Sequence, residues 1–317
     1  MQLNDASDYQ IIVGKTDGLV PSKLKGRGLV SLDRVYEIQT AFCSDVEDPQ
    51  DYIRAFCAEL NEGATVRARR IPVLPDKVDY EYVSDDIAGL KQTPLGVSKK
   101  TLNVVSADLL NRVVFPILTQ EVYVAASFVN EFIKVLNDKN NLTIIDSEQI
   151  VNNEGLDKQI VETADYETFV QDLFADMANR NNTYKDAKMD VSSLNPFEEK
   201  TYLIVGLRRF YERLSDDGKE KLTILLEKAE SFYKLHFVIV ESVSQLNSFN
   251  YDAWFKRQIP GTDGLWIGDG VTDQYVLKVS KVTSDLYEEI GEEYGYMFNK
   301  SRMSLVKLLS SKDTEGE

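Results

Sequence analysis

Residues 111–136 read NRVVFPIL, then TQEVYVAAS, then FVNEFIKVL. The first piece, Asn111–Leu118, is an apolar and partly β-branched run, which predicts a buried strand. In the third piece Phe128, Val129, Phe132, Ile133 and Leu136 fall on one face of a helix. Strand, short connection and helix together are the setting in which a phosphate-binding loop is built. Such a loop needs glycines, so that backbone N–H groups can wrap the phosphates, and a lysine to reach the terminal ones. The connection offers neither. Thr119, Gln120 and Glu121 follow the strand, Ser127 opens the helix, and Glu121 brings a negative charge toward any phosphate.

Outward from this stretch the chain alternates strand and helix from about Asp76. LTIIDS (142–147), TYLIVGL (201–207) and HFVIVES (236–242) predict buried strands. Phe169, Val170, Leu173, Phe174 and Met177, with Tyr166 one turn earlier, predict a helix. Leu222, Leu225, Leu226, Ala229, Phe232 and Tyr233 predict another. This βαβ alternation implies an α/β domain with a mainly parallel sheet flanked by helices. Residues 151–165 and 180–200 read as surface loops. Residues 1–42 alternate turn signals with short strand-like pieces and cannot close a core alone. Asp48 as N-cap, Pro49 in the first turn and Asp51 near the positive end predict a helix start.

The chain has 317 residues, enough for one large core and a smaller piece, and a formal charge of −16. A surface that tracks nucleic acid needs clustered Lys and Arg to neutralise phosphates. The basic clusters here are short: Arg67, Arg69 and Arg70; Lys23 and Lys25; Arg208 and Arg209. Acidity argues against nucleic acid and is compatible with a protein partner. Cys43 and Cys57 form no metal or redox motif. Cys57 shares a helical face with Ile53, Phe56 and Leu60, which predicts a buried free thiol, as suits a reducing cytoplasm. No signal peptide is visible, and no apolar run reaches the ~18–20 residues that a membrane span needs.

LNDASDYQIIVGKTDGL and KLKGRGLVSLDRVYEIQTA, within the first forty-one residues, resemble the end of an ATPase domain in FtsK/SpoIIIE-type translocases, in the EssC-type branch of type VII secretion. The matching features are Asp5 and Asp8, Gly26–Leu29 and Glu37–Ala41. RRIPVLPDKV, with Pro72 and Pro75, resembles the inter-domain linker, and PLGVSKKTLNVVSADL the strands that open the next domain. GLWIGDGVTDQYVLKV and YGYMFNKSRMSLVKLL resemble its last strands. The resemblance implies a closing segment over 1–42, a helix and linker over 43–76, and a RecA-like P-loop NTPase fold over 77–317. The chain reads as a fragment or a truncated copy.

Gly14-Lys15-Thr16 looks like the end of a phosphate-binding motif, but Tyr9 stands where its first glycine belongs, and Asp17-Gly18 and Pro21 would stop the required helix. It reads as a turn. At the tip of TYLIVGL an active unit carries an aspartate for magnesium. Here that position holds Gly206, between Val205 and Leu207, with no carboxylate before Glu212. Arg208 and Arg209 read as solvent-facing, with fingers toward a neighbouring nucleotide as the rival. Asp269 and Asp273 read as turn residues rather than a cation site, and His236 as a satisfied strand residue. Trp254 and Phe255, with Trp266 after a Pro-Gly turn, default to core packing. They are also the candidates for partner contact, since aromatics are enriched at recognition hot spots.

The family uses ATP and magnesium; with both phosphate elements degenerate, no cofactor and no catalytic residue is expected here. The resemblance implies a domain that recognises secreted type VII substrates or their chaperones and regulates neighbouring ATPase units in a ring. It implies a place at the cytoplasmic face of the membrane, with anchors in upstream segments only. The alternative is a nucleotide-binding or active unit of the same translocase family, moving protein or, less favoured by charge, DNA.

Overall fold

The computed structural model describes residues 3, 6–41, 48–64, 71, 73–87, 92–137, 141–156 and 159–310. Asp5, Cys43, Arg67, Arg69, Arg70 and Pro72, named above, lie outside the described residues. The chain divides into two compact units, Met1–Ile71 and Pro72–Glu317, a division that falls inside the helix-and-linker segment.

The first unit holds α1 (Ala6–Val13), an antiparallel hairpin of β1 (Arg27–Ser31) and β2 (Val35–Gln39), and α2 (Pro49–Gly63). Where short strand-like pieces were expected among turns, Ile11, Ile12 and Val13 lie in α1, with Ile11 and Ile12 exposed. α2 begins as the sequence dictates: the Asp48 carboxylate accepts from the Gln50 N–H at 2.8 Å, with Pro49 in the first turn. The apolar stripe of α2 is not buried, however. Ile53, Phe56 and Leu60 are exposed, and Cys57 is an exposed thiol rather than a buried one. The reason is a lack of core to join: among the described residues of this unit, Tyr9, Pro21 and Leu29 are the buried apolar side chains.

In the second unit a helix, α3 (Tyr80–Ile87), precedes β3 (Thr93–Ser98), β4 (Val104–Ala107) and β5 (Val114–Thr119). Then come α4 (Ala126–Asn137), β6 (Asn141–Asp146), α5 (Tyr166–Asp186) and β7 (Lys200–Val205). α6 (Leu207–Glu212) and α7 (Asp216–Lys228) lead to β8 (Leu235–Ser242), followed by α8 (Val243–Leu246) and α9 (Ala253–Gln258). β9 (Gly264–Ile267), β10 (Tyr294–Asn299) and β11 (Arg302–Leu308) complete the unit.

The strands form one sheet in the order β4-β3-β11-β10-β9-β5-β8-β7-β6. The sheet is mixed, a parallel section extended by antiparallel strands. The ladders β6–β7, β7–β8, β5–β8 and β5–β9 are parallel. Those joining β9, β10, β11, β3 and β4 are antiparallel, because these strands are linked by hairpins and loops rather than by crossover helices. Numbered from β5, the parallel strands run 5-1-4-3-2. Each face has its own core: α3 and α4 bring Val83, Phe128 and Phe132 onto one, and α5, α7 and α9 bring Val170, Leu222 and Trp254 onto the other.

α5 runs for 21 residues, well past the point at which a loop was expected. Its extension is anchored by Arg180, only 1 % exposed, which pairs with Asp176 at 3.0 Å and donates to the carbonyls of Glu198 (3.0 Å) and Tyr233 (2.6 Å). A polar stretch thus folds as helix because one buried guanidinium collects its acceptors. No helix among the described residues is long and apolar enough to cross a membrane.

Candidate functional site

The parallel strands end on one edge, at Thr119, Asp146, Val205 and Ser242. β5 and β8 are neighbours, yet α4, which follows β5, packs on one face, while Leu246 and Trp254, which follow β8, belong to the core of the other. Chains leaving adjacent strands toward opposite faces open a crevice at the carboxyl edge, where ligands of such sheets usually sit. The crevice here is a cavity of about 440 Å³, lined by Glu121, Tyr123, Glu148, Arg208, Arg209, Glu212, Glu241 and Gln245 among others.

The loop before α4 is closed on itself. Thr119 is fully buried and its hydroxyl lies 3.3 Å from the Glu121 carbonyl, to which it donates; Gln120 donates to the Gly270 carbonyl at 3.5 Å. Val122–Ala125 form a 3-10 turn in which the Val124 N–H donates to the Glu121 carbonyl, and the Ala126 N–H donates to that of Tyr123. Two N–H groups of the loop, those of Val124 and Ala126, are therefore already used. Ser127 shares a 2.6 Å hydrogen bond with Ser310. Of the four loop residues singled out by the sequence, Glu121 alone lines the cavity.

Gly206 sits after β7 with φ +79°, a left-handed conformation that suits glycine. A Cβ there would meet the Glu148 Cγ at 2.5 Å and the Ser147 Oγ at 2.6 Å. The Ser147 hydroxyl donates to the Gly206 carbonyl at 2.6 Å, which ties the ends of β6 and β7 together. Next to it the two arginines are occupied by this chain's own carboxylates: Arg208 with Glu212 at 2.7 Å and Arg209 with Glu148 at 3.0 Å. Neither is poised as a free cation.

Glu241 is the residue at this edge that the sequence reading missed. It is the penultimate residue of β8, 1 % exposed, and its two oxygens accept from the N–H groups of Arg208 and Ser242, each at 2.9 Å. Burial pushes its carboxyl up to about 7; the two N–H donors pull it back, Glu148 pushes it further, and Arg208 opposes that. The signal that would have found it, and Glu148, is position: both stand at the carboxyl end of a predicted strand. Four glutamates face the space, both arginines are paired, and no lysine lines the cavity.

The remaining sequence candidates fall elsewhere. Trp254 and Trp266 are 1 % and 0 % exposed and belong to the core, so neither offers surface to a partner; Phe255 packs half-buried against the same cluster. Trp266 is held inside by donating its indole N–H to the carbonyls of Gly268 and Asp269. His236 is buried and satisfied, with Nδ1 2.7 Å from the Arg112 carbonyl and Nε2 2.7 Å from Glu199. Gly14-Lys15-Thr16 is a turn after α1, the Gly14 N–H donating to Gln10 and that of Leu19 to Thr16. Asp269 accepts from the N–H groups of Ile290 and Gly291, a loop-holding role.

In fold the chain is similar to EssC (ATPases 2 and 3) from Geobacillus thermodenitrificans, at 14% identity and a TM-score of 0.74 over 96% of this chain and 59% of that one. It is similar to Thermomonospora curvata EccC (ATPases 2 and 3), solved in complex with a signal sequence peptide, at 16% identity and a TM-score of 0.56 over 92% and 54%. The pCW3 conjugation coupling protein TcpA, solved with ATPγS, matches at 10% identity and a TM-score of 0.52 over 83% of this chain and 82% of that one. The chain thus spans little more than half the length of the EssC and EccC chains. No protein-family model and no curated protein matches the sequence. The mixed sheet with its flanking helices is therefore the fold of the EssC and EccC ATPase domains, a P-loop NTPase fold.

Proposed function

We propose that this chain is a non-catalytic terminal ATPase-like domain of a type VII protein secretion motor, preceded by the closing segment of another ATPase domain. It works by recognising secreted substrates or their chaperones and by controlling neighbouring ATPase units in a ring. The observation that carries this reading is the connection between β5 and α4. Where phosphate would be held there is a self-bonded 3-10 turn with Glu121 facing the cavity. Phosphoryl transfer depends on positioning and on cationic stabilisation, and both are missing from that connection together. The signal sequence peptide bound to EccC supports peptide recognition as the work left to such a domain. A net charge of −16 favours a protein partner over nucleic acid.

Magnesium-dependent phosphate release from ATP should not exceed a protein-free blank. Release that is lost on Thr119→Ala or Glu121→Ala would overturn the reading. A second reading, a nucleotide-binding unit of the FtsK/SpoIIIE-type translocases, is supported by the cavity that persists at the same edge beside Arg208 and Arg209. Losing one or two charge-assisted contacts weakens a micromolar site by ~10- to 1000-fold or more, so low-micromolar ATP binding by calorimetry would favour this second reading.

A further inference from the structure

β-strands send alternate side chains to opposite faces, so both faces of a sheet need cover. The antiparallel end of this sheet, on the face of α5, α7 and α9, carries the segment 283–290, which packs through Leu286 and Ile290. Beside it lies a groove of about 520 Å³ whose floor is Tyr294 and Tyr296 of β10 with Met303 and Leu305 of β11. Tyr294, Met303 and Leu305 are half-buried, so apolar area is open to a ligand. Tyr296 is 5 % exposed and lines the groove, and no hydrogen bond reaches its hydroxyl from the described residues.

The rim is charged on one side. Asp285, Glu288 and Glu289 line the groove and are exposed, and none forms an ion pair with a lysine or arginine among the described residues. The lysine at the groove, Lys99, lies over the Tyr294 ring at 5.4 Å from its centroid. A cation on that ring shows which charge the floor already accepts.

We infer that this groove docks a short segment of a partner protein presenting an apolar side chain flanked by lysine or arginine. The proposal rests on the partner-recognition reading and names its site. The half-buried floor, rich in tyrosine and methionine, takes the apolar anchor. The three carboxylates select the flanking cations and repel an acidic segment.

The test is fluorescence anisotropy of the whole chain with a fluorescein-labelled peptide of leucine and lysine, against the same peptide with glutamate for lysine. The lysine peptide should bind and the glutamate peptide should not. Glu288→Lys with Glu289→Lys, and separately Met303→Ala, should each weaken the lysine peptide by about tenfold or more. Glu154→Lys with Glu220→Lys, the same charge change on exposed positions elsewhere, should leave it within about twofold. Equal loss in that control, unchanged binding in both groove variants, or no binding of the lysine peptide overturns the groove. Binding that survives both groove variants would leave partner recognition standing at another surface. The non-catalytic reading is judged separately, by phosphate release.

Discussion

Glu241→Gln separates the electrostatic cost of the carboxyl edge from its packing. Glu241 is held up to about 7 from an ordinary value of 4.5, first by burial. The folded state then binds its proton more tightly than the unfolded one, so the group lowers stability as pH rises. The cost is absent below 4.5, grows as pH climbs from 4.5 to about 7, and is complete above that. At about 1.36 kcal/mol per unit, the full cost is about 3 kcal/mol. The carboxylate accepts from two N–H groups, of Arg208 and Ser242, whereas a carboxamide keeps one acceptor, as does the protonated carboxyl. Near pH 5 the variant and the parent should therefore be about equally stable. Near pH 8 the variant should be more stable by about 3 kcal/mol, the full cost, because the pull of the two N–H donors is already contained in the shift. Urea unfolding midpoints across pH, followed by circular dichroism, measure the difference. A gap between the two proteins that stays constant from about pH 5 to about pH 8 would refute the assignment of Glu241 as a buried titrating group.

Three further outcomes are expected. Arg180→Ala should destabilise the second unit by about 2–4 kcal/mol, read from urea midpoints, because it leaves the Glu198 and Tyr233 carbonyls without this donor and Asp176 with Lys200 as its ion-pair partner; a loss under about 1 kcal/mol would show that water replaces it. Trp254→Ala and Trp266→Ala should each cost about 3–5 kcal/mol of folding stability, since both side chains are core. A stably folded variant with altered partner affinity would contradict that placement. Cys57 should react with maleimide in the folded chain as fast as it does in urea, because it is exposed on α2; slow labelling would mean that the helix is covered in solution.

Local pattern carried much of this protein. The apolar runs at 114–119, 141–146, 200–205 and 235–242 are long enough, and flanked clearly enough, to declare strands. The Asp48-Pro49 start of α2 and the turn at Gly14-Lys15-Thr16 follow from side-chain and backbone chemistry within a few residues. So does the lack of glycines and lysine between Leu118 and Phe128, which is a property of residue type alone.

Tertiary structure decided what no local window holds. The helical extension of α5 depends on Arg180 reaching carbonyls at Glu198 and Tyr233, far along the chain. Whether the α2 stripe and Cys57 are buried depends on what surrounds them, and an amphipathic pattern records only the capacity for burial. Trp254 and Trp266 have the composition of a hot spot and the position of a core, and only the packing around them tells these apart. Glu148, Glu241 and the two arginines, spread over some ninety residues of sequence, meet because parallel strands deliver their carboxyl ends to one edge. Residue types argue against a phosphate cradle at this edge; the sheet alone settled which charges fill the space.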